Sequence, residues 1–362
     1  MKIIFLVNHL NIGGITSYIL TLASGLKKKG HSVFIASSGG ELLPKLNDLG
    51  VIYIPIPIKT KNELSLQILV SAFKLKRIIK DNKIDILHSQ SRTTQVLGCL
   101  LHEFTGIKHI STCHGFFKRR FSRKILPCWG DKIIAISEQV EEHLRTDFKV
   151  SSDRISLINN GIDVDKFKPV SSSRKQEIKL RLGLKPGPVI GILARLSDVK
   201  GHKYLIEAMK MVLAFSPDAK LLIAGEGKLE KELRKLTERL NIRDSVIFVP
   251  EVLDTRDILS AIDIFVMPSL KEGLGLALME AMSSGLSVIG SAVGGIKTLI
   301  KDGENGLLVN PGDPSGIAKA VIDLLSDSDK AARLGANARR FIAEEFSEDK
   351  MILKTEELYQ NV

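Results

Sequence analysis

The sequence predicts an α/β protein made of two doubly wound domains, each built on a parallel sheet with helices on both faces. Short β-branched runs alternate with longer segments whose apolar residues recur at three- and four-residue spacing, which is typical of strand–helix–strand units. The alternation lapses once, in the polar segment 169–187 with its two prolines and its serine run. A chain of 362 residues also exceeds one ordinary domain.

We therefore predict an N-terminal domain over 1–168, a linker over 169–187 and a C-terminal domain over 188–346. In the first domain, strands are expected at 2–7, 32–36, 51–55, 84–88, 108–112, 132–136 and 155–159, and helices at 15–30, 64–81 and 138–146. In the second, strands are expected near 188–194, 219–224, 245–249, 263–267, 286–290 and 306–309, and helices near 201–215, 228–240, 274–283 and 314–326. The last segment, 347–362, has a helical pattern and is expected to pack back on the first domain. Because ligands bind at the carboxyl ends of parallel strands, we expect the active site in a cleft between the domains.

The net charge of +11 lies entirely in the first half of the chain. Residues 1–170 hold 25 Lys and Arg against 14 Asp and Glu, whereas the remainder holds 27 of each. This asymmetry favours an anionic partner for the first domain, such as phospholipid, nucleic acid or a phosphorylated acceptor. A solubilising surface explains it equally well.

The cysteines and the apolar runs favour a cytoplasmic protein. Cys99, Cys113 and Cys128 lack CxxC or metal-ligand spacing, which indicates reduced thiols. The longest apolar runs have five to seven residues, far short of the ~20 that span a bilayer. The first run also ends too early for a signal peptide.

The strongest candidate site is the segment Ser269–Glu280, SLKEGLGLALME, which follows a predicted strand and runs into a helix. Gly273 and Gly275 allow the backbone to approach a ligand closely, and the N–H groups of the following helix suit a pyrophosphate. Glu272 and Glu280 are eight positions apart, where carboxylates can accept hydrogen bonds from the transferred sugar and from a ribose. A Gly-x-Gly before a helix is weak by itself, and the two flanking acids strengthen the interpretation.

A second phosphate signal is the segment ARLSDVKG at 194–201. Arg195 ends a predicted strand and Lys200 starts a helix, and two fixed cations at a strand end suit a diphosphate leaving group. Gly225 closes the next strand. The alternative is an ordinary surface Arg and Lys.

The first domain carries weaker signals at its strand ends. Gly13 and Gly14 follow the first strand and permit close approach of a substrate, but the pattern is not Gly-x-Gly-x-x-Gly, so a dinucleotide fingerprint is absent. His114 follows a strand, where it can hydrogen-bond a sugar hydroxyl. Asn160 belongs to an Asn-Gly turn, which is also a purely structural signal.

The stretch 113–129, CHGFFKRRFSRKILPCW, sets five cations among bulky apolar residues. We predict that this stretch meets an anionic membrane surface or a phosphorylated lipid acceptor. A solvated helix with a buried apolar face is the alternative. The five cations are Lys118, Arg119, Arg120, Arg123 and Lys124.

Taken in order, these segments resemble the retaining glycosyltransferases of the GT-B architecture, specifically glycosyltransferase family 4. The resemblance covers nearly the whole chain and implies two Rossmann-like domains facing across a cleft. It rests on the segments NIGGITSYILTLASGLKKKGHSV, CHG, IAISEQV, NGIDVDKF, ARLSDVKG, GEG, EGLGLALME and GLSVIGSAVGGI with DGENGLLVNPGD.

The resemblance implies a role for each matching residue. Arg195 and Lys200 would hold the diphosphate of a nucleotide-sugar. Glu272 would contact the donor sugar and Glu280 the ribose. The expected catalytic set is Arg195, Lys200, Glu272 and His114. Further donor-binding positions are Gly14, Gly225, Gly273, Leu274, Gly275 and Leu276. The acceptor or cleft side would be lined by Gly13, His114, Ser137 and Asn160.

The resemblance also implies retention by front-face attack, in which the phosphate of the donor assists deprotonation of the acceptor. No protein nucleophile, metal or cofactor is then expected, and the pair Asp163 and Asp165 lacks a third ligand for a metal. The chain departs from the family pattern at Ala194, at Leu274 and most of all at Lys297-Thr298, where the family usually has Pro-Glu.

We expect a cytoplasmic hexosyltransferase, peripheral on the inner face of the cytoplasmic membrane. A nucleotide-sugar, with a UDP-sugar favoured, would serve as co-substrate, and the acceptor would be a glycan or a lipid-linked glycan of cell-envelope polysaccharide, lipopolysaccharide or glycolipid synthesis. The enzymatic alternative is a nucleotide-sugar epimerase on the same scaffold. A basic nucleic-acid-binding protein leaves the neutral second half unexplained, so no nucleic-acid partner is expected.

Overall fold

The computed structural model describes residues 1–60, 62–117, 123, 125–250 and 254–362. The chain forms two compact units, one of Met1–Gly161 with Glu348–Val362 and one of Ile162–Ser347. We call them unit 1 and unit 2. Each is built on a parallel sheet with helices packed against it, which confirms the predicted α/β class with two Rossmann-like domains.

Unit 1 contains seven parallel strands among its described residues, in the order β3-β2-β1-β4-β5-β6-β7. The strand order reverses between β1 and β4, and this is the point of such sheets at which ligands bind. The strands are β1 (Lys2–Leu6), β2 (Ser32–Ser37), β3 (Ile52–Pro55), β4 (Ile86–Ser89), β5 (Lys108–Cys113), β6 (Lys132–Ala135) and β7 (Ile155–Leu157).

Alternate residues of β1 serve the two faces of this sheet. Ile3 and Phe5 belong to one apolar cluster, whereas Ile4 and Leu6 belong to another, because successive side chains of a strand point to opposite faces. Helices cover these faces, including α4, which begins with a capping box of Ser91 and Thr94. The helices described within Met1–Gly161 are α1 (Gly14–Lys28), α2 (Leu43–Asp48), α3 (Leu66–Asn82), α4 (Arg92–Thr105) and α5 (Glu138–Asp147).

Unit 2 contains six parallel strands among its described residues, in the order β10-β9-β8-β11-β12-β13. The strands are β8 (Val189–Leu193), β9 (Lys220–Ala224), β10 (Val246–Val249), β11 (Ile264–Met267), β12 (Ser287–Ser291) and β13 (Leu307–Val309). The helices are α6 (Ser172–Arg181), α7 (His202–Phe215), α8 (Glu230–Arg239), α9 (Arg256–Ala261), α10 (Leu276–Ser283), α11 (Ile296–Leu299), α12 (Pro314–Ser326) and α13 (Ser328–Glu345).

The segment predicted as a linker, 169–187, is instead part of unit 2 and contains helix α6. Its serine run is a helix start, since the hydroxyl of Ser171 accepts a hydrogen bond from the backbone N–H of Arg174. Lys175 and Lys179 each lie 2.7 Å from a carboxylate oxygen of Asp263 and hold the helix to the sheet. The predicted boundary after residue 168 therefore moves to residue 161.

Helix α14 (Glu348–Gln360) belongs to unit 1, although the whole of unit 2 precedes it in the chain. Ile352 packs so closely on α1 that a Cβ added to Gly25 would lie 2.0 Å from its Cδ1 atom. Glu356 accepts hydrogen bonds from Lys29 and His31, both at 2.7 Å. These contacts fix α14 against the start of unit 1.

Candidate functional site

In unit 2, the loops that follow β8, β9, β11 and β12 are joined by backbone hydrogen bonds. The N–H of Leu196 donates to the carbonyl of Glu226 at 2.9 Å, and the N–H of Leu270 donates to that of Val199 at 2.8 Å. The N–H of Gly295 donates to the carbonyl of Glu272 at 3.2 Å. The loops at this edge of the sheet therefore form one connected backbone framework.

Glycines make this close approach possible. At Gly201, which has a positive φ of 72°, an added Cβ would lie 1.9 Å from the carbonyl oxygen of Pro268. At Gly225, with φ 139°, it would lie 2.3 Å from the carbonyl oxygen of Ala194. Since both contacts are with backbone, a side chain would force the loops apart.

Lys200 and Glu272, which the sequence placed in separate motifs, meet at this edge. Lys200 Nζ lies 2.5 Å from Glu272 Oε2, and Ser269 donates a longer hydrogen bond of 3.4 Å to the same oxygen. Both side chains are largely buried, with 22% and 12% of their surface exposed. A cation and an anion are thus held side by side where β8 and β11 end.

The glycine-rich turn after β11 leads directly into α10. Gly275 precedes the helix with φ 97°, a left-handed conformation that favours glycine, and Leu274 is buried. Among the described residues, no side chain caps the start of α10. The first backbone N–H groups of α10, from Leu276 onward, have no acceptor within the helix. Such groups at a helix N-terminus are suited to bind an anion.

Glu280 lies one helical turn and more beyond this start and is partly buried. Its Oε2 atom accepts a hydrogen bond of 2.8 Å from the hydroxyl of Thr255. Burial raises the pKa of Glu280 to about 7, and the hydrogen bond from Thr255 only partly offsets this effect. Thr255 was not singled out from the sequence, because its partner lies far away in the chain.

Arg195 and His202 flank Lys200 in the chain and differ sharply in environment. Arg195 is exposed, and no carboxylate in the described part of the chain pairs with it. His202 is buried at the start of α7, and burial lowers its pKa to about 4. Of these three residues, Arg195 and Lys200 are therefore the cations.

In unit 1, the loop after β1 is open at its glycines. Gly13 precedes α1 with φ 153°, and an added Cβ there would meet no atom within 4 Å among the described residues. Gly14 is exposed as well. A ligand can approach the backbone here, as the sequence predicted for Gly13 and Gly14, but contact with a substrate stays a prediction.

His114 follows β5 and is paired with Gln90, which follows the neighbouring strand β4. The Nε2 atom of His114 lies 2.8 Å from Oε1 of Gln90. Because an amide oxygen only accepts, Nε2 carries the hydrogen and Nδ1 is left as an acceptor. Burial lowers the pKa of His114 to about 3, so the ring is neutral at physiological pH.

A buried polar chain lies beside His114 and reaches α14. The hydroxyl of Tyr359 lies 2.6 Å from Nδ1 of His88, and Nε2 of His88 lies 2.7 Å from the hydroxyl of Thr112. Tyr18 continues the chain with a 3.4 Å contact to Thr112, and its ring meets that of His114 edge-on, with centroids 4.9 Å apart. Sequence reasoning did not single out Gln90, His88 or Tyr18. Gln90 and His88 lie outside the segments that carry the resemblance, and Tyr18 lies inside one of them without a role assigned to it.

Ser137 and Asn160 lie at the ends of β6 and β7. Ser137 is buried and caps α5, where its hydroxyl accepts a hydrogen bond of 3.3 Å from the N–H of Val140. Asn160 is also buried, and its Oδ1 atom has no hydrogen-bond partner among the described residues. The substrate contacts expected of both residues stay predictions.

The basic stretch is only partly described, and its one described cation points inward. Arg123 is 6% exposed, and its guanidinium lies 4.1 Å from the ring centroid of Phe117 and 4.8 Å from that of Trp129. The prediction that Arg123 faces an anionic surface is therefore wrong, because cation–π contacts hold it inside the unit. Lys118, Arg119, Arg120 and Lys124 lie outside the described residues.

The described residues contain neither a metal-binding cluster nor a helix suited to span a membrane. No group of three or more His, Cys, Asp and Glu side chains is placed there to hold a metal ion. Nor does any described helix have the length and apolar character needed to cross a membrane.

Two Rossmann-like units with these glycine-rich loops after their strands are those of a GT-B glycosyltransferase. A family model described as "Glycosyl transferases group 1" matches residues 174–341, and one described as "Glycosyltransferase Family 4" matches residues 12–166. The chain belongs to this family of GT-B glycosyltransferases.

Curated relatives span nearly the whole chain. An uncharacterized glycosyltransferase of Methanocaldococcus jannaschii is 29% identical and covers 96% of this chain and 94% of its own length. The UDP-Gal:alpha-D-GlcNAc-diphosphoundecaprenol alpha-1,3-galactosyltransferase of Escherichia coli is also 29% identical, over 90% of this chain and 87% of its own.

Solved structures share the fold at lower identity. HepE of Anabaena, solved in complex with UDP and glucose, superposes with a TM-score of 0.89 at 21% identity and covers 100% of both chains. A glycosyltransferase from Rickettsia africae has a TM-score of 0.88 at 24% identity, over 99% of this chain and 98% of its own.

Proposed function

We propose that this glycosyltransferase moves a hexose from a UDP-sugar to a glycan or lipid-linked acceptor with retention of the anomeric configuration. The observation that carries the proposal is the Lys200–Glu272 pair, set in the backbone framework at the start of α10. The named activity of the Escherichia coli relative and the UDP and glucose bound by Anabaena HepE support the choice of donor. Cell-envelope polysaccharide, lipopolysaccharide or glycolipid synthesis is the setting we infer.

The donor is assigned to unit 2. Arg195 and Lys200 would neutralise the diphosphate as charge develops on the leaving group, in place of a metal ion. The backbone N–H groups of Gly273, Leu274, Gly275 and Leu276 would support the sugar and phosphates, with Gly225 leaving room beside them. Glu272 would accept hydrogen bonds from the sugar, and Glu280 from the ribose.

The acceptor is assigned to unit 1, through Gly13, Ser137 and Asn160, whereas Gly14 would contact the donor. His114 would act as a neutral group, because its pKa of about 3 leaves Nδ1 unprotonated at physiological pH. From Nδ1 it can accept a hydrogen bond from a sugar hydroxyl. The acceptor hydroxyl would attack the anomeric carbon on the face that the diphosphate leaves, and a donor phosphate oxygen would take its proton.

The donor assignment is tested by thermal shift with UDP-, GDP- and ADP-sugars, since a ligand that binds the folded state raises its melting temperature. We expect the largest shift with a UDP-sugar and its loss in Lys200→Gln and Arg195→Gln. An exposed-site control is Lys231→Gln on α8. Full transfer activity in both binding-site variants would refute the assignment.

The stereochemical assignment is tested by NMR of the product, in which an α-linked sugar from an α-linked donor shows retention. Activity unchanged by a chelator would agree with a metal-independent reaction. Incubation with the nucleotide-sugar alone separates transfer from epimerisation, because only an epimerase yields the epimeric sugar nucleotide.

A further inference from the structure

Helix α3 in unit 1 has two apolar faces, and only one of them is buried. The buried face packs on the sheet through Ile68, Ser71, Ala72, Leu75 and Ile79. The opposite side exposes Leu66, Leu69, Val70 and Phe73, whose spacing of three and four residues places them in one stripe. Leu66 is 76% exposed, Val70 56% and Phe73 67%, so this stripe is uncovered.

Exposed apolar side chains also lie beside the stripe. The ring of Phe104 on α4 stacks on that of Phe73, with centroids 6.2 Å apart. On the other side, Arg92 ties the loop before α3 to the loop before Trp129, since it pairs with Glu63 at 2.7 Å and donates to the carbonyl of Leu126 at 2.6 Å. We call the exposed set the α3 surface: Leu64, Leu66, Leu69, Val70, Phe73, Phe104, Ile125 and Leu126.

Basic side chains border the α3 surface. Helix α3 carries Lys74, Lys76, Arg77 and Lys80 against a single acid, Asp81. Lys76 Nζ lies 5.2 Å from the ring centroid of Phe104, which places its charge at the edge of the apolar set. A helix with an exposed apolar face and a basic border suits the plane of an anionic membrane surface.

We propose that the α3 surface docks unit 1 on an anionic lipid bilayer. Leu66, Val70 and Phe73 enter the boundary between headgroups and acyl chains, and Arg77 and Lys80 contact the phosphates. The excess of basic residues confined to the first half of the chain favours an anionic partner for unit 1.

This docking surface is centred on α3 and shares only Ile125 and Leu126 with the stretch that the sequence predicted. Arg123, the described cation of the basic stretch, is enclosed by aromatic rings, whereas the apolar side chains of α3 lie in solvent. The docking itself does not depend on the proposed function, although a lipid-linked acceptor would explain its use. Vesicle binding and donor binding are therefore measured separately.

The test is co-sedimentation of the full chain with vesicles rich in phosphatidylglycerol, compared with vesicles of phosphatidylcholine alone. We expect binding to the anionic vesicles that weakens as salt is raised. The double variant Leu66→Asp with Phe73→Asp should weaken it roughly tenfold or more, since each buried apolar side chain contributes strongly. Arg77→Gln with Lys80→Gln should reduce binding and its dependence on salt.

The matched control is Leu180→Asp with Phe215→Asp, which changes two exposed apolar residues of unit 2 and should leave vesicle binding unchanged. A native circular-dichroism spectrum and an unchanged melting temperature without ligand show that the α3 variants are folded. Failure of the native chain to sediment with anionic vesicles at low salt overturns the proposal and assigns the surface to a protein partner. Equal sedimentation of the native chain and the Leu66→Asp, Phe73→Asp variant also overturns it.

Discussion

Lys200 Nζ and Glu272 Oε2 lie 2.5 Å apart, so the cation assigned to the diphosphate is already partnered by the acid assigned to the sugar. Under the proposed function, the pair divides the two substrate contacts between opposite charges. We predict that Glu272→Gln loses transfer by roughly a hundredfold or more, because a contact to the reacting sugar is lost. Its affinity for UDP should stay within about fivefold of the native value, as expected for loss of one partly exposed ion pair.

The comparison variant is Lys200→Gln, which should weaken UDP binding by roughly tenfold or more, since a charge-assisted contact to phosphate is lost. Calorimetric titration measures the affinity of both variants for UDP, and initial rates measure their transfer activity. The division of roles is wrong if the two variants lose UDP affinity to the same extent.

Glu280 gives a dependence of stability on pH with a definite sign. Its pKa is raised from 4.5 to about 7 in the folded protein, so the folded state binds the proton more tightly than the unfolded chain does. Stability therefore falls as pH rises from about 4.5 through about 7. Glu280→Gln removes this loss and should stabilise unit 2 by up to about 3 kcal/mol above pH 7, with little effect below pH 4.5.

Urea unfolding at about pH 5 and about pH 8 measures this difference. Glu232→Gln, at an exposed position of α8, controls for the general loss of one negative charge. A stabilisation by Glu280→Gln that is the same at both pH values would contradict the raised pKa.

The Gln90–His114 contact predicts a change in pH profile. In Gln90→Glu a carboxylate faces Nε2–H of His114 and stabilises the imidazolium, so the pKa of His114 should rise from about 3 toward its ordinary value. Protonation then occupies Nδ1, the acceptor assigned to a sugar hydroxyl. The kcat/KM of transfer should fall at acidic pH in this variant and recover as pH rises.

Native enzyme and Gln360→Glu, which changes an exposed glutamine of α14, should lack this acidic loss. The readout is the profile of kcat/KM against pH, because a variant that is merely less stable loses activity without a new titration. Superimposable profiles for Gln90→Glu and the native enzyme would remove Gln90 as a positioning residue.

Gly201 and Gly183 form a natural comparison, since their φ angles are 72° and 69°. At Gly183 an added Cβ meets nothing within 4 Å among the described residues, whereas at Gly201 it would lie 1.9 Å from the carbonyl oxygen of Pro268. Gly183→Ala should lower the free energy of unfolding by about 1 kcal/mol through backbone strain. Gly201→Ala should lower it by roughly 2 kcal/mol more and weaken UDP binding.

Denaturant unfolding compares the two alanine variants, and UDP titration shows whether the loops after β8 and β11 have moved apart. If Gly201→Ala and Gly183→Ala destabilise the protein equally, the loop after β8 accommodates the added methyl group without disturbing the site.

The strands were predictable because buried parallel strands are continuous β-branched runs between turn residues. Every predicted strand is present within a few residues of its expected position. Among the described helices, α2, α4, α6, α9, α11 and α13 were not predicted. Helix α6 shows why, because its serines read as linker composition, whereas Ser171 in fact caps the helix. The cap depends on one hydroxyl orientation that composition does not reveal.

The candidate site was partly predictable for a similar reason. Lys200 and Glu272 each stood out within a local motif, but their contact depends on how β8 and β11 pair in the sheet. Thr255 and Gln90 act only through distant partners, and Arg123 reads as a surface cation until the three-dimensional placement of Phe117 and Trp129 is known.

The membership of α14 in unit 1 has a consequence for synthesis on the ribosome. Residues 1–161 emerge first, but the helix that covers Gly25 and supplies Tyr359 to the polar chain is made only after the whole of unit 2. Unit 2 is one uninterrupted stretch, so all its contacts become available earlier. Unit 1 is therefore begun before unit 2 but completed after it. Until α14 has been synthesised, the face of α1 that it covers is exposed to chaperones and to aggregation.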